Sequence, residues 1–120
     1  MLSKFRVLDL CDTRGDFAGF LLAQMGAEVL ALEPAGGQSS RHVGPYADGV
    51  ESSETSLLHW AYNRGKKSVV ISDPTELETL ALSADVLIEC GVFEIDLNHL
   101  RELNPSLITE RLTSTPLIDP

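Results

Sequence analysis

A chain of 120 residues is long enough for one buried core and too short for two, and its make-up, 43% hydrophobic, 22% charged and only 6% aromatic, suits a globular domain packed with aliphatic side chains. The formal net charge of −9 argues against nonspecific nucleic-acid binding, which needs Lys and Arg to displace counterions from phosphates. No apolar run approaches the roughly 18 residues of a membrane span, and residues 1–6 lack the apolar core of a secretory signal, so the expectation is a cytoplasmic protein without a membrane partner.

Phe5-Arg6-Val7-Leu8-Asp9-Leu10 predicts a first strand over 5–10. The pattern then turns helical through Phe17, Phe20, Leu21, Leu22 and Met25, with Gly26 as the stop. A second strand is expected over 27–33, closed by Pro34 and the loop residues Gly36-Gly37-Gln38-Ser39-Ser40. Residues 41–54 are polar and without periodicity, which predicts a long loop before a helix through Leu57, Leu58, Trp60 and Ala61, capped by Ser53 or Ser56. A third strand over 68–72, a helix from Pro74 through Leu77, Leu80 and Leu82, and a fourth strand over 85–89 follow. Asp96 can cap a short helix containing Leu97, Leu100 and Leu103 that ends at Asn104-Pro105, and 107–112 predicts a fifth strand. Strands alternating with helices imply an α/β fold: a Rossmann-like parallel sheet of about five strands with helices on both faces. Ligands of such sheets collect beyond the carboxyl ends of the strands, here the loops after Leu10, Glu33, Ile71 and Glu89.

Charge is unevenly spread. Seven of the nine cations lie at or before Lys67, whereas the chain from Asp73 onward carries ten acids and only Arg101 and Arg111, so a polyanion is expected to dock on the first half. Arg64, Lys66 and Lys67, just ahead of the third strand, suit phosphate in sign and geometry, the alternative being an ordinary solvated turn. The turn Cys11-Asp12-Thr13-Arg14-Gly15-Asp16 joins a strand to a helix, where backbone N–H groups can hold an anion, but it lacks the spacing of a dinucleotide fingerprint. Trp60, Tyr62 and Tyr46 can stack on a base or fill a core, and Glu33 and Glu89 end strands where each is expected to order a loop or cap a helix. Cys11 and Cys90 read as small packing residues. With His42, His59 and His99 scattered, no metal site is expected.

Val7-Leu8-Asp9-Leu10, Leu21-Leu22-Ala23-Gln24-Met25-Gly26-Ala27-Glu28-Val29, Glu33-Pro34, Gly36-Gly37, Asn63-Arg64-Gly65-Lys66-Lys67-Ser68, Ala84-Asp85-Val86-Leu87-Ile88-Glu89 and Leu103-Asn104-Pro105-Ser106-Leu107-Ile108, in this order and spacing, give a chain that resembles the N-terminal part of the class III CoA-transferases. That family includes formyl-CoA transferase, carnitine-CoA transferases and alpha-methylacyl-CoA racemase. The resemblance implies coenzyme A or acyl-CoA as substrate, no tightly bound cofactor, and transfer of CoA between carboxylic acids. It carries CoA-contact roles onto Thr13, Arg14, Gly15, Arg41, Arg64, Lys66, Lys67, Ile71 and Cys90, those of Ile71 and Cys90 through the backbone alone. The family's catalytic aspartate lies beyond the aligned region, so no catalytic residue is assigned. Residues 1–120 are accordingly expected to form one N-terminal domain of a longer chain, and the interlocked dimers of the family imply a homodimer or self-association. Gln38, Pro34 and Cys90-Gly91 depart from the family's usual acid, basic CoA contact and Asn-Phe pair. These departures leave open a non-catalytic or degenerate binding domain, and the shared motifs leave open a racemase.

Overall fold

The structure, a computed structural model, describes residues 2–12 and 15–112. Among these residues five parallel strands form one sheet: β1 (Arg6–Leu10), β2 (Glu28–Glu33), β3 (Lys67–Val70), β4 (Val86–Glu89) and β5 (Ile108–Arg111), in the spatial order β3-β2-β1-β4-β5. The expected α/β class, strand count and parallel pairing all hold. β1 lies at the centre, with Val7 opposite Val29 of β2 and Val86 of β4. The chain leaves β1 for β2 on one side and later returns to β4 on the other, which opens a crevice at the carboxyl ends of β1 and β4.

Among the described residues four helices cover the sheet: α1 (Asp16–Gln24), α2 (Leu57–Asn63), α3 (Pro74–Leu82) and α4 (Leu97–Leu103). The starts of α2, α3 and α4 follow the expected chemistry. Ser56 accepts from the His59 N–H at 3.2 Å, Asp73 from Thr75 at 2.9 Å with Pro74 next, and Asp96 from His99 at 3.1 Å, each satisfying an amide that the helix leaves unpaired. Two short 3₁₀ turns, Ser39–His42 and Ala47–Gly49, interrupt the loop that sequence periodicity left featureless. β3 begins one residue early and stops at Val70; the Ile71 N–H still reaches the Glu33 carbonyl at 2.8 Å before the chain bends into the Asp73 cap.

The side-chain alternation of β1 and β2 divides the protein into two unlike faces. Leu8, Leu10, Leu30, Leu32 and Leu87 pack with Leu77, Ala81 and Leu100 under α3 and α4 in a wholly apolar core. On the other face Val7, Val29, Ile88, Cys11 and Cys90 meet Ala18, Leu22 and Ala23 of α1, but Asp9 also points there, between Val7 and Cys11. That face is apolar only in part. Replacing Leu87, which is fully buried, by Ala should cost about 2–5 kcal/mol in urea unfolding, while Val70→Ala on the exposed edge strand should cost under about 1 kcal/mol.

Candidate functional site

Asp9 sits towards the carboxyl end of the central strand, 2% exposed, where an unpaired carboxylate would be prohibitively costly. Its Oδ1 accepts from the Cys11 N–H at 3.0 Å, and Oδ2 lies 2.8 Å from the ammonium of Lys66, whose side chain is itself 1% exposed. Lys66 Nζ also donates to the Asp16 carbonyl at 3.1 Å and to Asn63 Oδ1 at 2.9 Å. The lysine therefore ties β1, the start of α1 and the end of α2 together. Gly19 makes the approach possible: a Cβ there would overlap Asp9 Oδ2 and stand 3.0 Å from Lys66 Cε.

Around this pair the loop after β2 folds into a buried polar network. The Gln38 side-chain amide donates to the Cys11 carbonyl at 2.5 Å and to Asp16 Oδ1 at 2.7 Å, and its Oε1 accepts from the Ser40 hydroxyl at 2.7 Å. Because the Ser40 proton is used there, His59 Nδ1, 2.7 Å from Ser40 Oγ, is assigned as the protonated ring nitrogen, with Nε2 left as an acceptor. Burial, and then the Arg41 charge, hold the His59 pKa below its ordinary value, which favours the neutral ring. Burial also raises Asp16 to about 6, against the opposing pull of Gln38, Lys66 and Asn63.

Glu33, at the end of β2, is the second hub. Arg41 grips it bidentately, Nε to Oε1 at 2.7 Å and Nη2 to Oε2 at 3.0 Å, while the Gln38 N–H donates to Oε1 at 2.8 Å and the Ser68 hydroxyl to Oε2. Burial by itself would raise this carboxyl, but these four donations outweigh it and hold the pKa at about 2. Glu89 does a similar job after β4, accepting from the Gly91 N–H at 2.7 Å and pairing with Arg111. Both glutamates order loops, as their strand-end positions suggested.

Of the residues singled out from sequence, Arg41, Arg64 and Lys66 line one cavity, while Lys67 stands apart from it. Arg41 and Lys66 are committed inside the domain to Glu33 and Asp9. Lys67 opens β3 and reaches Glu28 at 3.1 Å, the residue that opens β2 and that Arg6 also holds, so it stands at the amino edge of the sheet. Arg64 and Lys67 are the exposed members of the group; the Arg64 guanidinium lies over the Phe20 ring at 5.3 Å and borders a 280 Å³ cavity with Glu33, Arg41, His59, Trp60, Asn63 and Lys66. At the opposite, carboxyl edge lie Gly15, Ile71 and Cys90. Thr13 and Arg14 fall outside the described residues. Trp60 and Tyr62 are half exposed, Tyr62 standing edge-on to Phe17, so neither fills a core. Sequence reasoning missed Asp9, Gln38, Ser40, His59 and Gly19. The available signal was Asp9 itself, an acid at an inward position of a buried strand.

At the carboxyl edge, Pro34, Ile71, Ser72, Asp73, Pro74 and Leu77 line a 340 Å³ hollow, and Cys90, Gly91, Ile95, Arg111 and Leu112 line a 400 Å³ cleft. Phe93 and Glu94 border both, so hollow and cleft adjoin along the ends of β2, β3 and β4. Among the described residues no cluster of His, Cys, Asp and Glu could hold a metal, and no helix is long and apolar enough to cross a membrane.

Lys66→Met, which leaves Asp9 buried and unpaired, should cost about 3–5 kcal/mol in urea unfolding, and adding Asp9→Leu should recover a large part of that loss. The two carboxyls give opposite pH slopes. Glu33, held at about 2, adds stability above its unfolded value of 4.5 and loses it as pH falls through 2. Asp16, raised from 3.8 to about 6, keeps its proton longer when folded, so its contribution falls as pH rises from 3.8 through 6. Urea midpoints measured against pH should show the acid loss removed by Glu33→Gln and the decline between pH 4 and 6 removed by Asp16→Asn.

The model of CoA-transferase family III matches residues 2–114. The chain is 38% identical to the probable fatty acyl-CoA transferase Rv3272 of Mycobacterium tuberculosis, covering 94% of this chain and 31% of that protein. It is 39% identical to the succinate–glutarate CoA-transferase of Agrobacterium fabrum, covering 89% of this chain and 30% of the relative. Among solved structures, an orthorhombic form of Rv3272 superposes with a TM-score of 0.78 at 33% identity, over 99% of this chain and 36% of that one. A CAIB/BAIF family protein from Brucella suis gives 0.81 at 28% identity, over 99% and 35%. The chain thus spans about a third of the length of the relatives it matches.

Proposed function

Since the chain belongs to CoA-transferase family III, we propose that it is the CoA-binding N-terminal part of a protein that moves CoA between carboxylic acids, with the catalytic aspartate contributed from outside these residues. The observation that carries this reading is the adjoining hollow and cleft at the carboxyl edge, where doubly wound sheets hold their ligands. In this proposal the adenine and pantetheine of an acyl-CoA lie against Ile71, Leu77 and Phe93. Backbone groups at Ile71 and Cys90 fix the cofactor's polar atoms. Thr13, Arg14 and Gly15, which precede α1 in the sequence, take a phosphate with the α1 N-terminal amides. Arg41 and Lys66 act indirectly by holding the loops after β2 and before β3, and Arg64 supplies long-range attraction. No tightly bound cofactor is proposed.

A second reading, a degenerate domain that binds a partner instead of CoA, is favoured by Asp73 and Glu94 at the hollow, which repel phosphate, and by the internal neutralisation of Arg41 and Lys66. In either case Phe17, Leu21 and Met25, about half exposed along α1, offer an apolar strip to a second copy or to further polypeptide.

Calorimetric titration of CoA into the purified polypeptide separates the two. The transferase reading expects weak binding that fades with salt, drops roughly tenfold in Arg14→Ala, a loss on the scale of one charge-assisted hydrogen bond, and is unchanged in Lys67→Ala at the far edge. Absence of binding at millimolar CoA, with the protein folded, would favour the partner-binding domain.

A further inference from the structure

We propose that Cys11 and Cys90 form a redox-active dithiol at the carboxyl edge of the sheet, a site that hydroperoxides convert to an intramolecular disulfide. Both cysteines are reduced here, and their Sγ atoms lie 2.7 Å apart. Their meeting follows from the register. Leu10, the last residue of β1, is paired with Glu89, the last of β4, so the next residue on each strand, Cys11 and Cys90, emerges side by side on the α1 face. Neighbouring strands run about 4.8 Å apart, and a disulfide spans Cα separations of about 4.4–6.8 Å, so no strand must slide for a bond to form. Gly15 supplies the room above the pair: a Cβ there would stand 2.5 Å from Cys11 Sγ and 2.9 Å from Cys90 Sγ.

The two thiols are not equivalent. Cys90, itself 5% exposed, lines the 400 Å³ cleft together with Gly91 and Arg111. Cys11 lies behind it, 3% exposed, its thiol pushed up by burial and by the hydrogen bond with Cys90, so bulk reagents find it unreactive. That assigns Cys90 as the peroxidatic sulfur and Cys11 as the resolving one. The Cys90 sulfur attacks one peroxide oxygen, the O–O bond breaks, and the departing hydroxide takes the thiol proton, leaving Cys90 sulfenic acid and water. The Cys11 sulfur then attacks the Cys90 sulfur, the S–S bond forms as the S–O bond breaks, and the leaving hydroxide takes the Cys11 proton as a second water. Two thiols together lose two electrons and two protons, and one hydrogen peroxide becomes two waters.

The site needs no CoA, so its test is independent of the transferase reading. The purified polypeptide is exposed to hydrogen peroxide, quenched, denatured, alkylated with iodoacetamide and weighed intact. The expected product is monomeric, lighter by two hydrogen atoms, without alkyl groups, and restored to two alkylatable thiols by dithiothreitol. It should also melt several degrees higher, because the bridge closes a loop of nearly eighty residues. Cys11→Ser should stop at a sulfenic acid trapped by dimedone, and Cys90→Ser should show little such trapping. Should either variant fail to fold, the folded wild-type chain compared with the same chain in guanidinium decides alone. A folded chain that bridges no faster than the unfolded one, or that gives only intermolecular disulfides, overturns the proposal.

Discussion

The buried ion pair between Asp9 and Lys66 is the contact on which the rest of the α1 face depends. A carboxylate in the central strand of a sheet is tolerable only with a cation brought to it, and the cation comes from the segment between α2 and β3. Bringing it there fixes several things at once. α1 must cross β1 closely, which requires Gly19, and Asn63 must turn inward to share the ammonium. Asp16, Gln38, Ser40 and His59 then close a continuous hydrogen-bonded layer over the pair. Such a pair need not add net stability over an apolar substitute, but removing one partner alone is severe.

Glu33 and Glu89 play a related part at the strand ends. Each is buried among donors that come from the loop or strand it faces: Gln38, Arg41 and Ser68 for Glu33, Gly91 and Arg111 for Glu89. The loops that border the carboxyl edge are thereby fixed from beneath by charge, and the surface above them is left to Pro34, Ile71, Leu77 and Phe93. Arg41 and Lys66, two of the cations that the sequence offers to a phosphate, also hold these loops in place.

Much of the fold was legible in the residues. The apolar runs at Val7-Leu8 and Val86-Leu87-Ile88, the caps at Asp73 and Asp96, and the stop at Asn104-Pro105 mark elements within a residue or two, because local periodicity and capping chemistry decide them. The family was legible too, through order and spacing. The fate of individual cations was not. Whether Lys66 faces solvent or Asp9 depends on where a segment fifty-seven positions downstream packs, a long-range fact that no local pattern encodes. Lys67 and Lys66 are adjacent in sequence, yet they serve opposite parts of the sheet because successive residues entering a strand face opposite ways. The short turns at Ser39–His42 and Ala47–Gly49 escaped notice for the same reason: Ser56 and Glu33, distant in sequence, hold that loop.

The unlike faces of the sheet have a consequence for how the sequence can change. Under α3 and α4 the requirements are volume and greasiness, and many aliphatic combinations satisfy them. Under α1 and α2 the buried side chains of Asp9, Asp16, Gln38, Ser40, His59 and Lys66 are tied to one another or to neighbouring backbone, so substitutions must arrive in compensating sets. Divergent versions of this domain should therefore drift freely on one side of a single sheet and move in lockstep on the other, a mutational asymmetry set by one aspartate in the central strand.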